Sequence, residues 1–314
     1  MLAGPSLRTA YISHRDCHLH DTGEDHPENS RRLFAIEDQF VSTGLNDVLR
    51  YYDAPDVTPD QLLRVHTPEH LANMAGMIPE QGYARLDPDT IISPGSLKAA
   101  RRAAGAAVQA VDLLMSGDME TAFCSVRPPG HHAESRQAMG FCLFNNVAVA
   151  AAHALEAYGL KKVAVVDFDV HQGNGTEDIF KDDERVLVCS TFQHPFFPYS
   201  VIPENNEHMV SIPLDATAGS DEFRSAVSEH WLPALQRFQP ELIFISAGFD
   251  AHLADDMSDI GLSDADFRWV TEHMVRLAGL FASGRIVSVL EGGYELRSLA
   301  RCVETHIRIL MGLH

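Results

Sequence analysis

Short apolar runs and longer amphipathic stretches alternate along the chain. Segment 163–166, VAVV, is apolar on both faces and breaks abruptly into Asp167, Asp169 and His171, then into the glycine-rich turn QGNGT. Such a run predicts a central strand of a parallel sheet, covered on both sides. Further strands are predicted at Thr9–Ser13, 121–126, 185–192, 210–214, 241–246 and 285–290. Helical periodicity with capping residues predicts a helix from about residue 30, one at Pro68–Met77 and an alanine-rich one at Ser96–Met115. Another runs from Asn145 or Asn146 to Tyr158 and is closed by Gly159. A short helix is expected at 177–180, longer ones at 222–238 and 265–282, and a last one from Leu296. Segment 53–95 is punctuated by prolines and reads as irregular surface structure around the Pro68–Met77 helix.

This alternation predicts an α/β fold with a mainly parallel central sheet flanked by helices. No repeat or linker divides the chain, so residues 1–314 read as one domain. Four strands end in polar or glycine-rich loops: RPPGHH, DFDVHQGNG, SAGFD and EGGY. Open sheets of this class bind ligands at the carboxyl ends of their strands. The four loops are therefore expected to converge on one site.

Residues two apart in an extended strand share a face, which would bring Asp167, Asp169 and His171 to one side. Asp169 and His171 offer an oxygen and an imidazole nitrogen, and Asp250, at the end of another strand, adds a second carboxylate. Three protein ligands with an open fourth position is the arrangement of a catalytic zinc. Iron or another divalent ion suits the same donors. His131 and His132 follow a stiff Pro-Pro-Gly turn, and histidine titrates in the range that general acid–base work requires. Asp167 is placed to orient one ring and Asn174 the other. Tyr294, after two glycines, could donate a hydrogen bond to an oxyanion. Phe141 and Phe197 lie in loops that follow site strands and are expected to wall a narrow apolar channel suited to an alkyl chain.

Composition narrows the picture only slightly. With 45% hydrophobic and 22% charged residues this is an ordinary globular chain. Its formal charge of −20 disfavours non-specific DNA binding and favours a cationic substrate. Cys17, Cys124, Cys142, Cys189 and Cys302 are scattered and form no C-x-x-C pair, which argues for a reducing, cytoplasmic setting without a disulfide framework. The first residues lack the pattern of a signal peptide. No apolar run approaches the roughly 20 residues of a spanning helix. Nucleic acid and membrane are thus not expected partners, whereas a homo-oligomer stays open.

The motifs RPPGHHA, GFCLFNN, DFDVHQGNGT, SAGFD and EGGY, in this order, resemble those of the zinc-dependent histone deacetylase superfamily, in its class II and bacterial amidohydrolase branch. The resemblance spans the segment from HPENSRRL to EGGY, most of the chain. It implies the arginase–deacetylase fold, a single α/β domain around a parallel sheet of about eight strands. It implies zinc on Asp169, His171 and Asp250, His132 as general base and acid, and His131 as its electrostatic neighbour. Asp167 and Asn174 would orient those two rings, and Tyr294 would stabilise the oxyanion. Gly140 would offer its carbonyl to the substrate, Phe141 and Phe197 would flank an acyl-lysine tunnel, and Asp89 would hold the substrate backbone at the rim. A structural potassium ion would sit beside the zinc, on Asp167, Asp169, His171 and Ser190. After Phe197 the chain reads PYSVIPENN where relatives commonly have PGTG, so the rim is expected to differ there.

The implied reaction is removal of acetyl or other acyl groups from lysine side chains. The nearest alternative is acetylpolyamine deacetylation. Polyamine-selective members carry glutamate at a gatekeeper position where this chain has Met257, which favours acyl-lysine. An arginase-like binuclear manganese hydrolase would want more carboxylates on the Asp250 strand than GFDAHLAD supplies, and a non-catalytic acyl- or metal-binding module is the third reading.

Overall fold

The computed structural model describes residues 8–313. Its strands are β1 (Thr9–Ser13), β2 (Arg50–Asp53), β3 (Ala84–Arg85), β4 (Ile91–Ile92), β5 (Thr121–Cys124), β6 (Val163–Asp167), β7 (Val186–Gln193), β8 (Met209–Leu214), β9 (Leu242–Ala247) and β10 (Ile286–Leu290). The helices are α1 (Arg31–Thr43), α2 (Pro59–Leu62), α3 (Pro68–Met77), α4 (Ser96–Met115), α5 (Asn146–Tyr158), α6 (Asn174–Phe180), α7 (Ser220–Ala226), α8 (Leu232–Phe238), α9 (Asp264–Phe281) and α10 (Leu296–Leu310). Eight strands form one sheet in the order β2-β1-β5-β10-β9-β6-β7-β8, and every pairing in it is parallel. β3 and β4 make a separate antiparallel ribbon.

The central strands are mostly apolar and every residue of β5, β6, β9 and β10 is buried. Their backbone polar groups are satisfied by the ladder, and their side chains by helices on the two faces. α4 packs on α5, while α10 packs on α1 and α9. Local chemistry fixes the helix ends. Asn145 accepts the Ala148 amide at the start of α5, and Gly159, at φ 67°, closes that helix in the left-handed region.

Three elements depart from expectation. β2, RYYD, is an exposed edge strand whose pattern carries no buried face to signal it. Segment 53–95 contains the short helix α2 and the β3–β4 ribbon as well as α3. The helix expected at 222–238 is broken by a π-helical turn, Val227–Trp231. Pro233 follows that turn and has no amide to continue the α-helical ladder, so the backbone widens ahead of it.

The topology places β5, β10, β9 and β6 side by side. These are the four strands whose following loops carry RPPGHH, EGGY, SAGFD and DFDVHQGNG. Because all run parallel, all four loops leave from the same edge.

Candidate active site

β6 ends at Asp167, so Asp169 and His171 lie in the turn beyond the strand and not on its face. The turn folds on its own side chains: the Asp169 amide donates to Asp167 Oδ1 at 3.0 Å, and the His171 amide donates to Asp169 Oδ1 at 2.9 Å. Spacing of two still brings the groups together, through a turn instead of a pleat. Asp250 arrives from the loop after β9 and accepts the Val170 amide at 2.9 Å. The side chains of Asp169, His171 and Asp250 each offer an atom within 4.8 Å of the others, and all three residues are buried. His171 Nδ1 lies 3.0 Å from Asp169 Oδ1 and 3.2 Å from Asp250 Oδ2. Two glycines make room for this cluster. A methyl group on Gly248 would overlap the Asp169 carboxylate, and one on Gly292 would overlap that of Asp250.

The loop after β5 delivers the paired histidines. The turn is held from below by Glu291, whose Oε2 accepts the Gly130 amide at 2.6 Å and the His131 amide at 3.1 Å. His131 Nδ1 meets Asp167 Oδ2 at 2.9 Å, and His132 Nδ1 meets Asn174 Oδ1 at 2.8 Å. The two rings lie 4.0 Å apart between centroids.

Electrostatics separates these neighbours. Burial disfavours the charged form of His131, but the Asp169 and Asp167 carboxylates outweigh it and hold its pKa well above the ordinary value. Burial pushes His132 well below the ordinary value, and the positive charges of His131 and His171 push the same way. The two neighbouring rings are thus pushed in opposite directions. For His171, burial is again outweighed, here by hydrogen bonds to Asp169 and Asp250, and its pKa rises to about 9. Burial and the neighbouring Asp169 charge raise Asp250 to about 6. A pocket that raises an imidazole this far calls for positive charge between its carboxylates. Asp250 Oδ2, buried and facing His171 Nδ1 at 3.2 Å, marks the place.

Above the cluster opens a cavity of about 440 Å³. His131, His132, His171, Gly140, Phe141, Phe197, Met257 and Tyr294 all line it, with Asp89 at its mouth. The Phe197 ring sits edge-on to His132, at 5.2 Å, and Phe141 sits edge-on to Tyr294, at 6.1 Å. Phe141 holds a left-handed backbone, φ 68°, with its amide on Thr90 Oγ1. The Gly140 carbonyl accepts the Cys142 thiol at 3.3 Å. Burial, and the charge of Asp250 next, hold the Tyr294 phenol well above its ordinary pKa, so it stays a donor. Asp255 fixes its backbone by accepting the Tyr294 and Glu295 amides at 2.6 and 2.9 Å.

Other residues of the site left no signature in the sequence. Phe196 stacks on His171 at 5.4 Å. His26, the first residue of the HPENSRRL segment, lines the cavity, sits 4.7 Å from Phe141 and bonds the Asp89 carbonyl at 3.1 Å. Arg32 donates to the Glu291 and Gly293 carbonyls and lies 5.0 Å from the Tyr294 ring. Its charge is met by Glu28 at 3.2 Å, which also pairs with Arg127, the residue before the Pro-Pro-Gly turn. All three side chains are wholly buried. Arg127 belongs to the RPPGHHA motif and Glu28 and Arg32 to HPENSRRL, but no spacing in the sequence announces that the three meet.

A second group, His252, Asp264 and Cys302, also brings three donors close together. There His252 Nδ1 accepts the Ala254 amide, which places the ring proton on Nε2, facing Asp264 at 3.3 Å. It is a hydrogen-bonded brace. All five cysteines are free and buried. No helix among the described residues is long and apolar enough to cross a membrane.

Comparison with known proteins gives the arrangement its context. The model of the histone deacetylase domain matches residues 26–310. A histone deacetylase-like amidohydrolase from Pseudomonas aeruginosa is 38% identical over 294 residues, covering 91% of this chain and 76% of that protein. The polyamine deacetylase HDAC10 of Mus musculus is 34% identical over 335 residues, covering 98% of this chain but 48% of that longer protein. Among solved structures, the HDA15 HD domain superposes with a TM-score of 0.90 at 34% identity, covering 99% of this chain and 89% of that one. With its eight-stranded parallel sheet and these relatives, the chain belongs to the histone deacetylase family and has the arginase–deacetylase fold.

Proposed function

We propose that this chain is a zinc-dependent amidohydrolase that removes acetyl or other acyl groups from lysine side chains. The observation that carries the reading is the meeting of three kinds of group in one apolar-walled cavity: the Asp169–His171–Asp250 cluster, the neutral His132 and the Tyr294 phenol. The cluster fits a divalent ion by its donor set, two carboxylates and an imidazole that are buried and within 4.8 Å of one another. Zinc held there would act as a Lewis acid on the acyl carbonyl and lower the pKa of the attacking water. Asp167, Asp169, His171 and Ser190 would hold the structural potassium. Ser190 lies beside Asp167 in the β6–β7 register, and its buried Oγ has no hydrogen-bond partner among the described residues.

The chain's own residues divide the remaining work. Phe141 and Phe197 align the alkyl chain and exclude water, Gly140 offers a carbonyl acceptor to the amide N–H, and Asp89 meets the backbone at the mouth. His132 has Nδ1 engaged by Asn174, so Nε2 takes the proton as water adds to the carbonyl carbon. Tyr294 donates to the carbonyl oxygen as negative charge builds on it. His131, kept cationic by Asp167 and Asp169, stabilises that charge without giving up its proton. His132 then returns the proton to the departing nitrogen, the C–N bond breaks, and the free amine and carboxylate leave.

Tyr294→Phe removes the donor and keeps the ring contacts. Its turnover of an acetyl-lysine peptide is expected to fall on the order of 100-fold or more, with KM nearly unchanged. Near-normal turnover with zinc bound would contradict the role. The experiment that tests the whole reading is a panel of acetyl-lysine peptides, longer acyl-lysines and acetylpolyamines, with Asp169→Ala as the control for the site.

Acetylpolyamine hydrolysis is the second reading, favoured by the similarity to the mouse polyamine deacetylase. Met257 at the cavity wall argues for the neutral substrate, since a cationic polyamine backbone gains nothing from a thioether. Met257→Glu is expected to raise the acetylspermidine to acetyl-lysine preference by about tenfold, the worth of one well-placed charge pair. A native chain that already prefers acetylspermidine would reverse the assignment.

A further inference from the structure

The hydrogen bonds that orient His132 do not end at Asn174. Asn174 Nδ2 continues to Glu134 Oε1 at 2.8 Å and to Met139 Sδ at 3.3 Å. A carboxamide can present either end to an imidazole, and the two choices have opposite chemistry. With Oδ1 toward the ring, His132 carries its proton on Nδ1 and keeps a lone pair on Nε2. With the amide turned over, Nδ2 would donate to Nδ1, the proton would sit on Nε2, and the ring would have no base to offer. Nothing within Asn174 decides between them.

Its outer neighbours decide. The Glu134 carboxylate and the Met139 thioether accept hydrogen bonds and donate none. A turned-over amide would face a carbonyl oxygen against a carboxylate oxygen. Glu134 is itself held in place: its Oε2 accepts from Gln137 Nε2 at 3.0 Å, its amide donates to the Gln137 carbonyl at 3.0 Å, and its carbonyl meets His66 Nδ1 at 3.0 Å. Asn174 is the first residue of α6, so its backbone is fixed as well. We propose that Glu134 is a positioning residue that holds the Asn174 oxygen toward His132 and so selects the tautomer in which Nε2 is the base. The proposal rests on the reading of His132 as the base.

A double-mutant cycle on Glu134→Ala and Asn174→Asp tests it. The measurements are kcat and KM on an acetyl-lysine peptide, zinc content, and the ¹⁵N spectrum of the His132 ring, assigned with His132→Gln. Glu134→Ala is expected to lower kcat roughly 10- to 100-fold, as loss of an orienting partner does, with KM within about twofold. Its ring spectrum should shift from the Nδ1–H form toward a mixture. Asn174→Asp alone sets two carboxylates together and should also lose activity. In the double variant the carboxylate accepts at both oxygens and has no wrong way round, so kcat should recover above that of Glu134→Ala.

Glu134→Lys puts a donor where the acceptor stood, and is expected to fall below Glu134→Ala. Glu134→Ala with kcat within about twofold of the native chain, or with the Nδ1–H spectrum unchanged, overturns the proposal. So does a double variant no better than Glu134→Ala. An inactive native chain would instead remove the hydrolase reading, and the ring spectrum alone would then decide the role of Glu134.

Discussion

Replacing His132 with alanine is expected to lower turnover of an acetyl-lysine peptide roughly 10²- to 10⁴-fold, the span of a lost general base, while zinc content stays at the native level. Two histidines face the same cavity, and their electrostatics assign the role. His131 sits between Asp167 and Asp169, which outweigh its burial and hold its pKa well above the ordinary value, so it is the poorer base of the two. Burial first, and the charge of His131 next, push the His132 pKa well below its ordinary value and leave its lone pair available. The alanine variant leaves Asp169, His171 and Asp250 intact, so binding of a hydroxamate to the bound metal should survive. Metal analysis, inhibitor titration and steady-state kinetics on one preparation separate these effects. Turnover within about tenfold of native would move the base elsewhere.

The second large effect falls on stability. Glu28→Ala is expected to destabilise the chain by about 3–5 kcal/mol, the cost of stranding a buried charge by removing its partner. Two buried guanidiniums depend on this one carboxylate: Arg127, bidentate through Nε and Nη2, and Arg32 at 3.2 Å. His20 Nε2 lies 3.4 Å from the same group. Burial works against the charged carboxylate, yet Arg127 outweighs it and holds the Glu28 pKa well below its ordinary value. The sign follows from linkage. A depressed carboxylate contributes stability that is complete above the unfolded value, near 4.3, and is lost as pH falls through the folded value. Urea unfolding of the native chain should therefore show stability falling below about pH 4.3, with a shallower fall in Glu28→Ala. Equal midpoints for the two proteins at pH 7 would sink the prediction.

The sheet and the chemical core were readable because both depend on neighbours in the chain. VAVV and ELIFIS are apolar on both faces, which only a covered central strand explains. Polar residues crowd after such runs only where a strand edge opens on a site. Asp167, Asp169 and His171 could be grouped by spacing alone, although the spacing suggested a pleat where the structure has a turn. What stayed hidden depends on residues far apart. Glu28 and Arg127 stand 99 positions apart, and only folding shows that they and Arg32 meet in the interior. Glu134 looked like an ordinary loop residue, because its partner Asn174 lies 40 positions away. β2 escaped because an exposed edge strand has no apolar face to betray it. His26 and Phe196 reach the cavity through loops whose paths no local pattern specifies.

The contact between Arg32 and the Gly293 carbonyl joins positions 261 apart, nearly the whole length of the chain. Closing so long a loop costs entropy that is recovered only when both ends have docked. The loop that presents Tyr294 is therefore tied to a helix far from it in sequence, and its support is lost whenever either end comes undocked.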